Sequence, residues 1–270
     1  MKKIVLGIVG CGNIGLVLAK VASAKMKDKV SAVAVWDIDK TRIDRVKKEL
    51  PEVLTASGEE DLIEKSDLVL EAVSPAAAIG LILKAINKKK DILVMSVGGI
   101  IGNEDILDKA RKEGIRILFP SGAIAGIDGL KAAKLAGLDS VKLTTRKSPA
   151  SLKGAPYLNE KGIDTDKIKK ETVVFEGNAF DAIKAFPKNV NVSALLSIAG
   201  IGAKKTKVRV VADPACDKNI HEIEIKGKAG TIFTRVENVP SEDNPKTSFL
   251  AALSATAALA EYFDSVRIGT

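Results

Sequence analysis

The stretch GCGNIG, residues 10–15, constrains the fold of this 270-residue chain more than any other. Short glycine patterns arise by chance, so the spacing alone is weak. Here it ends an apolar run, KIVLGIVG (3–10), and opens a helix-period segment, NIGLVLAKVASAKM. Strand, glycine turn and helix in that order predict a phosphate-binding turn. Gly10 permits the tight turn, Gly12 lets the backbone approach a pyrophosphate, and Gly15 lets helix and strand pack closely. The helix-start amides, at Asn13 and Ile14, hold the phosphates with the helix dipole. The next apolar run, VSAVAVWD (30–37), ends at Asp37, 22 residues after Gly15. A carboxylate there takes the adenosine ribose hydroxyls. It favours NAD by repelling a 2′-phosphate, while Lys40 and Arg42 soften that preference and leave NADP open.

The first 120 residues keep alternating. SDLVLEAV (66–73), DILVMSVG (91–98) and IRILFP (115–120) are further apolar runs. KTRIDRVKKELP, AAAIGLILKAINKKK and NEDILDKARKEG carry helical periodicity. Continuous apolar strands alternating with amphipathic helices predict an α/β, Rossmann-type doubly wound parallel sheet over residues 1–120. The loops LEAVSP (70–75) and SVGG (96–99) lie at carboxyl ends of strands and border the expected cofactor crevice, which makes Ala72 and Ser74 candidate contacts.

After residue 120 the pattern changes. SGAIAGIDG (121–129) is glycine-rich. DSVKLTTRK (139–147), TVVFEG (172–177) and TKVRVVAD (206–213) read as strands with one wet face. HEIEIKG and TIFTRVEN flank a short hairpin loop at 228–230. NAFDAIKAF (178–186) and 189–203 read as helices. A C-terminal α+β domain, 121–245, with an open, mostly antiparallel sheet is expected, serving substrate binding. An Ala-rich helix over 246–264 is expected to pack back on the first domain.

Composition excludes several classes. Two cysteines and one histidine leave no disulfide scaffold and no metal site. No apolar run is long enough to span a bilayer. The glycines at 7, 10, 12 and 15 argue against a signal peptide, so a cytoplasmic protein is expected. The net charge of +8 is scattered, with no basic helix, which argues against nucleic-acid binding and suits acidic small molecules. Glutamine is absent and lysine and glutamate are abundant, a thermophile-like composition.

The single histidine, His221, begins a strand after a loop. An imidazole titrates near neutrality and exchanges protons during hydride transfer. Lysine with a lowered pKa is its main competitor. Cys216 lies five residues before it, but the loop offers nothing to activate a thiol. Cys11 reads as a small filler whose amide faces phosphate.

The segments GIVGCGNIG, FPSGAIAGIDGL, LTTRKSP, NVNVSA, VVADP, NIHEIEI and NPKTS together make the chain resemble the L-aspartate dehydrogenase family over nearly its full length. Ser148 departs from the family's TRKPP stretch, which concerns loop shape. The resemblance implies a homodimer and NAD(P)-dependent oxidative deamination of L-aspartate to iminoaspartate, which water hydrolyses to oxaloacetate and ammonia or which feeds NAD biosynthesis. It implies that His221 is the catalytic histidine. It places an alanine of SGAIAG and an asparagine of NVNVSA beside the nicotinamide: Ala125 and Asn191 are chosen, with Ala123 and Asn189 as alternatives. Two substrate carboxylates need charge and donors. Arg146, Lys147 and Lys246 offer charge, and Thr247 and Ser248 offer donors at a helix start. Asp213, or less well Glu222, is expected to orient the imidazole. Competing readings are a homoserine dehydrogenase or dihydrodipicolinate-reductase type enzyme, which relies on lysine, and an NADH-sensing regulator, for which no partner segment is found.

Overall fold

The protein is described here from a computed structural model covering residues 3–187, 191–241 and 244–269, with backbone alone for residues 244–247. The chain divides into two compact units, Met1–Pro120 with Ala252–Val266, and Ser121–Ala251 with Arg267–Thr270.

In the first unit, strands β1 (Ile4–Val9), β2 (Val30–Trp36), β3 (Leu54–Thr55), β4 (Leu68–Glu71), β5 (Asp91–Val94) and β6 (Ile117–Leu118) alternate with helices α1 (Asn13–Lys25), α2 (Lys40–Glu49), α3 (Glu59–Lys65), α4 (Pro75–Asn87) and α5 (Asp105–Glu113). The six strands pair in parallel in the order β3-β2-β1-β4-β5-β6. The order reverses between β1 and β4, and at such a switch point the carboxyl ends of the strands open a crevice. All four residues of β4 are buried, the mark of a strand covered on both faces. With few aromatics the core is aliphatic: Leu6, Ile8, Leu16, Leu18, Val35 and Leu70 cluster with Ala255, Leu259 and Phe263 of the last helix. Each large aliphatic side chain so buried contributes about 2 kcal/mol.

The second unit holds α6 (Ile127–Ala136), β7 (Leu138–Lys147), the short helices α7 (Pro149–Leu152) and α8 (Pro156–Glu160), β8 (Thr172–Asn178), α9 (Ala179–Ala185), α10 (Asn191–Ala199), β9 (Lys207–Ala212), β10 (Asn219–Gly227) and β11 (Gly230–Asn238). Its sheet runs β11-β10-β7-β9-β8. Only the β7–β9 pairing is parallel. Helix α6 is absent from the sequence-based expectation. Its entry residue, Gly126, has φ of 88°, so the glycine that reads as loop is the helix's first cap. The segment ends in a two-stranded ladder, β12 (Pro240–Ser241) with β13 (Asn244–Ser248), and helix α11 (Phe249–Phe263). The helix expected over 246–264 therefore starts three residues late, because strand pairing takes the backbone of 244–248.

Candidate active site

The glycine turn sits where β1 ends and α1 begins. Gly10 has φ of 99°, and a Cβ there would lie 2.3 Å from the Ala72 carbonyl oxygen. A Cβ on Gly15 would lie 1.9 Å from the Gly10 carbonyl oxygen. Packing alone demands both glycines. Gly12 differs: nothing lies within 4 Å of a Cβ built on it. It is the N-cap of α1 without a side-chain cap, so the open space lies over the helix's first amides, near Asn13 and Ile14. A cradle that a side chain would fill, at a helix N-terminus, suits a pyrophosphate.

Asp37 is buried beside this turn. Its carboxylate accepts hydrogen bonds from the backbone amides of Cys11 at 2.7 Å and Asp39 at 2.9 Å. The Cys11 amide therefore serves Asp37, not phosphate as the sequence reading has it. The Cys11 thiol is pushed up to about 12 by burial and by the Asp37 charge, so it stays protonated. Arg42 lies 3.8 Å from Asp37 and offsets part of its charge. The arrangement is compatible with NAD or NADP.

Ala72 follows β4 and supplies the wall against Gly10, and the exposed Ser74 caps α4 with its carbonyl. Between these loops sits a residue that sequence reasoning missed. The Glu71 side chain, fully buried, accepts from the amides of Val73 at 2.8 Å, Met95 at 3.0 Å and Ser96 at 2.8 Å. Ser96 Oγ donates to the Val73 carbonyl at 2.8 Å. One carboxylate thus ties LEAVSP to SVGG. Burial pushes its pKa up against these amide bonds. The available signal was a lone acid closing the apolar run SDLVLEAV.

In the second unit, one sheet face changes character along the strands. At one end Val141, Leu143, Ile223 and Ile225 are buried and apolar. Further along, the same alternation brings Thr145 and Lys147 of β7, Asn219 and His221 of β10, and Asn238 of β11 to that face, all at most 5% exposed. The opposite face carries Arg146, Glu222 and Arg235, which pair with one another and with Glu171, Asp213 and Glu237. A row of five buried polar side chains inside an otherwise apolar face is the informative exception.

His221 stands opposite Thr145 in the β10–β7 register, and the Thr145 Oγ1 lies 3.0 Å from His221 Nδ1. Thr145, not Asp213 or Glu222, is therefore the imidazole's partner. Asp213 faces Arg146 at 3.4 Å and caps its own loop through the Ala215 amide, and Glu222 pairs with Arg235 across the other face. The expectation of an imidazole titrating near neutrality is also corrected. Burial, with the Lys147 charge, lowers the His221 pKa to about 3. Burial lowers Lys147 to about 8. The ring is held neutral, and the lysine is the group poised near neutrality.

The SGAIAG loop is tied to this same sheet. Asn238 Nδ2 donates to the Ala123 carbonyl at 3.0 Å, and Thr234 Oγ1 to the Ala125 carbonyl at 3.2 Å. Ala125 is exposed and Ala123 is buried. Asn191 is the exposed first residue of α10, and Asn189 lies outside the described residues. Ser248 is buried and ends β13, and the Phe249 amide that follows donates to the Val239 carbonyl. The side chains of Lys246 and Thr247 lie outside the described residues. Cys216 is buried, with its thiol on the Lys218 carbonyl at 2.8 Å. Among the described residues there is no cluster of metal-ligating side chains, and no helix is long and apolar enough to cross a membrane.

Comparison with known proteins agrees with the two halves of this description. Residues 10–120 match the model described as homoserine dehydrogenase, NAD binding domain, and residues 128–262 match aspartate dehydrogenase, C-terminal. The first unit is thus an NAD(P)-binding domain. The L-aspartate dehydrogenase of Methanococcoides burtonii is 45% identical over 98% of this chain and 99% of its own length. That of Nitrosopumilus maritimus is 42% identical over the whole of both chains. The crystal structure of aspartate dehydrogenase from Thermotoga maritima superposes with a TM-score of 0.78 at 26% identity, covering 99% of this chain and all of that one. A homoserine dehydrogenase from Thiobacillus denitrificans, at 15% identity and a TM-score of 0.62 over 97% of this chain and 73% of that one, shares the fold alone. The carboxyl-terminal match and the full-length relatives decide between the dehydrogenase readings: the chain belongs to the L-aspartate dehydrogenase family.

Proposed function

We propose that the protein oxidises L-aspartate with NAD or NADP, releasing ammonia and, through iminoaspartate, oxaloacetate. The observation that carries this is the chain's only histidine, buried against Thr145 and beside a buried lysine in the unit that matches the aspartate dehydrogenase C-terminal model.

The cofactor, when bound, supplies the hydride acceptor. Gly10, Gly12, Asn13, Ile14 and Gly15 hold its pyrophosphate, Asp37 its adenosine ribose, and Ala72, Ser74, Ala125 and Asn191 its nicotinamide half. Lys147 supplies charge to the substrate, and Lys246, Thr247 and Ser248 supply further contacts. His221 takes the proton. When Nδ1–H donates to the Thr145 oxygen, Nε2 keeps its lone pair. That nitrogen removes a proton from the substrate ammonium, and the freed amine pair pushes the C2 hydrogen out as hydride. A proton and a hydride leave, and the iminium forms. Once that proton has passed to solvent, the same nitrogen takes a proton from the water that attacks the iminium carbon. Burial is the main cause of the lowered His221 pKa, and a carboxylate against Lys147 offsets the smaller contribution, that of the lysine charge.

The protein is further proposed to be cytoplasmic and homodimeric, the latter tested by light scattering of the purified chain. The activity is tested by NADH consumption with oxaloacetate, with and without ammonium, in wild type and His221→Ala. Ammonium-dependent turnover lost in the variant supports the reading. Turnover without ammonium makes the protein a keto-acid reductase instead.

A further inference from the structure

The polar row on the second sheet holds a feature that the proton chemistry of His221 does not use. Asn219 is 2% exposed, and its side-chain Nδ2 is buried without any hydrogen-bond partner. Buried donors left unpaired are rare in folded proteins and call for an explanation.

The register locates this donor. The antiparallel β10–β7 ladder pairs Ile220 with Arg146, and continuing both strands by one residue brings Asn219 toward Lys147. On its other side Asn219 pairs with Asn238 of β11. Directly opposed side chains in such a ladder start roughly 5 Å apart. Asn219 and Lys147 therefore bring an amide N–H pair and an ammonium to one spot, next to His221 and Thr145 on the same face.

Asn238 flanks the donor on the other side. Its own Nδ2 is spent on the carbonyls of Ala123 at 3.0 Å and Asn219 at 3.1 Å. Its Oδ1 is a buried acceptor with no partner. An anion is repelled by that oxygen and attracted by the lysine. The acidic side chains next to these strand positions, Asp213 and Glu222, are engaged with Arg146 and Arg235 on the opposite face.

We propose that Asn219 and Lys147 together form a carboxylate-binding subsite, with the Asn219 amide as neutral donor and the Lys147 ammonium as the charge. The assignment rests on the aspartate reading above and deepens it: one of the substrate's two carboxylates is held here, which places C2 and its nitrogen beside the imidazole. Removing the Asn219 donor then weakens substrate binding far more than cofactor binding.

The test compares wild type, Asn219→Asp and Asn219→Ser. KM for L-aspartate, the Kd for NADH, and the Kd for succinate, a dicarboxylate without an amine, are measured by kinetics and calorimetry. Asn219→Asp replaces the donor with a charge of the wrong sign at equal size. It should raise the aspartate KM and the succinate Kd about tenfold to a hundredfold, with the NADH Kd unchanged. Asn219→Ser should show a smaller rise, and it carries the comparison if Asn219→Asp does not fold. Turnover on aspartate with KM and succinate Kd unmoved in both variants overturns the subsite, leaves the aspartate reading standing, and makes Asn219 a structural partner of Asn238. Succinate binding lost in the variants, in a wild type that does not turn over aspartate, supports the subsite and overturns the substrate reading.

Discussion

The Thr145 hydroxyl oxygen and the His221 Nδ1 lie 3.0 Å apart, directly opposite each other in the ladder between β7 and β10. Two strands far apart in sequence thus set which nitrogen of the chain's one imidazole is engaged. Thr145→Val keeps the shape and removes the hydroxyl. It should lower kcat about tenfold, by loss of a hydrogen bond to a group that becomes charged, while KM for aspartate changes little. Thr145→Ser should restore most of kcat. Steady-state kinetics on the three proteins decide it.

The two buried bases, His221 and Lys147, make stability depend on pH in two windows. His221 has a folded-state pKa of about 3 against an ordinary 6.5, so the folded chain binds fewer protons than the unfolded chain between these values. Its contribution is present above about pH 6.5 and is lost as the pH falls toward 3. His221→Gln should show a shallower loss of melting temperature across that range.

Lys147 behaves in the corresponding way at alkaline pH. Its pKa is about 8 in the fold against 10.5 in the open chain, so below pH 8 the fold holds a buried charge at a cost. Lys147→Met should melt higher than wild type at pH 7, by about 3 kcal/mol at most, with the gap closing as the pH approaches 10.5. It should lose aspartate turnover at the same time, the trade between stability and function expected of a binding site. A variant that melts lower than wild type at neutral pH would remove the argument.

Gly10 and Gly12 of the turn should separate by mechanism. Gly10→Ala meets the Ala72 carbonyl and a left-handed φ, so it should destabilise the fold by a few kcal/mol. Gly12→Ala meets nothing within 4 Å, so melting should be unchanged while the NADH Kd rises at least about tenfold. Thermal melts and NADH fluorescence titration check both.

Glu71 is a structural tie with a functional address. Glu71→Gln leaves its size but replaces an acceptor oxygen with an NH2 facing amides. It should cost about 1–3 kcal/mol and loosen the loops after β4 and β5. NADH binding should weaken more than binding of ADP-ribose, because the adenosine half rests on the glycine turn and Asp37. Equal weakening of both ligands would reduce Glu71 to general stability.

Local spacing determined a good deal. The order of strand, GCGNIG and helix, with Asp37 closing the next strand, specifies a parallel sheet with a phosphate cradle, because those constraints act between residues close in sequence. The same holds for the His221 strand and the hairpin after it. What local pattern does not carry is pairing between distant strands. That Thr145 meets His221, that Lys147 and Asn219 share one buried sheet face, and that Glu71 ties two loops are decided by sheet register and burial. Burial also moves the charges: the residue expected to titrate near neutrality, His221, is held neutral, and Lys147 takes that range. Desolvation is a property of the packed interior, and no spacing of residues along the chain encodes its size.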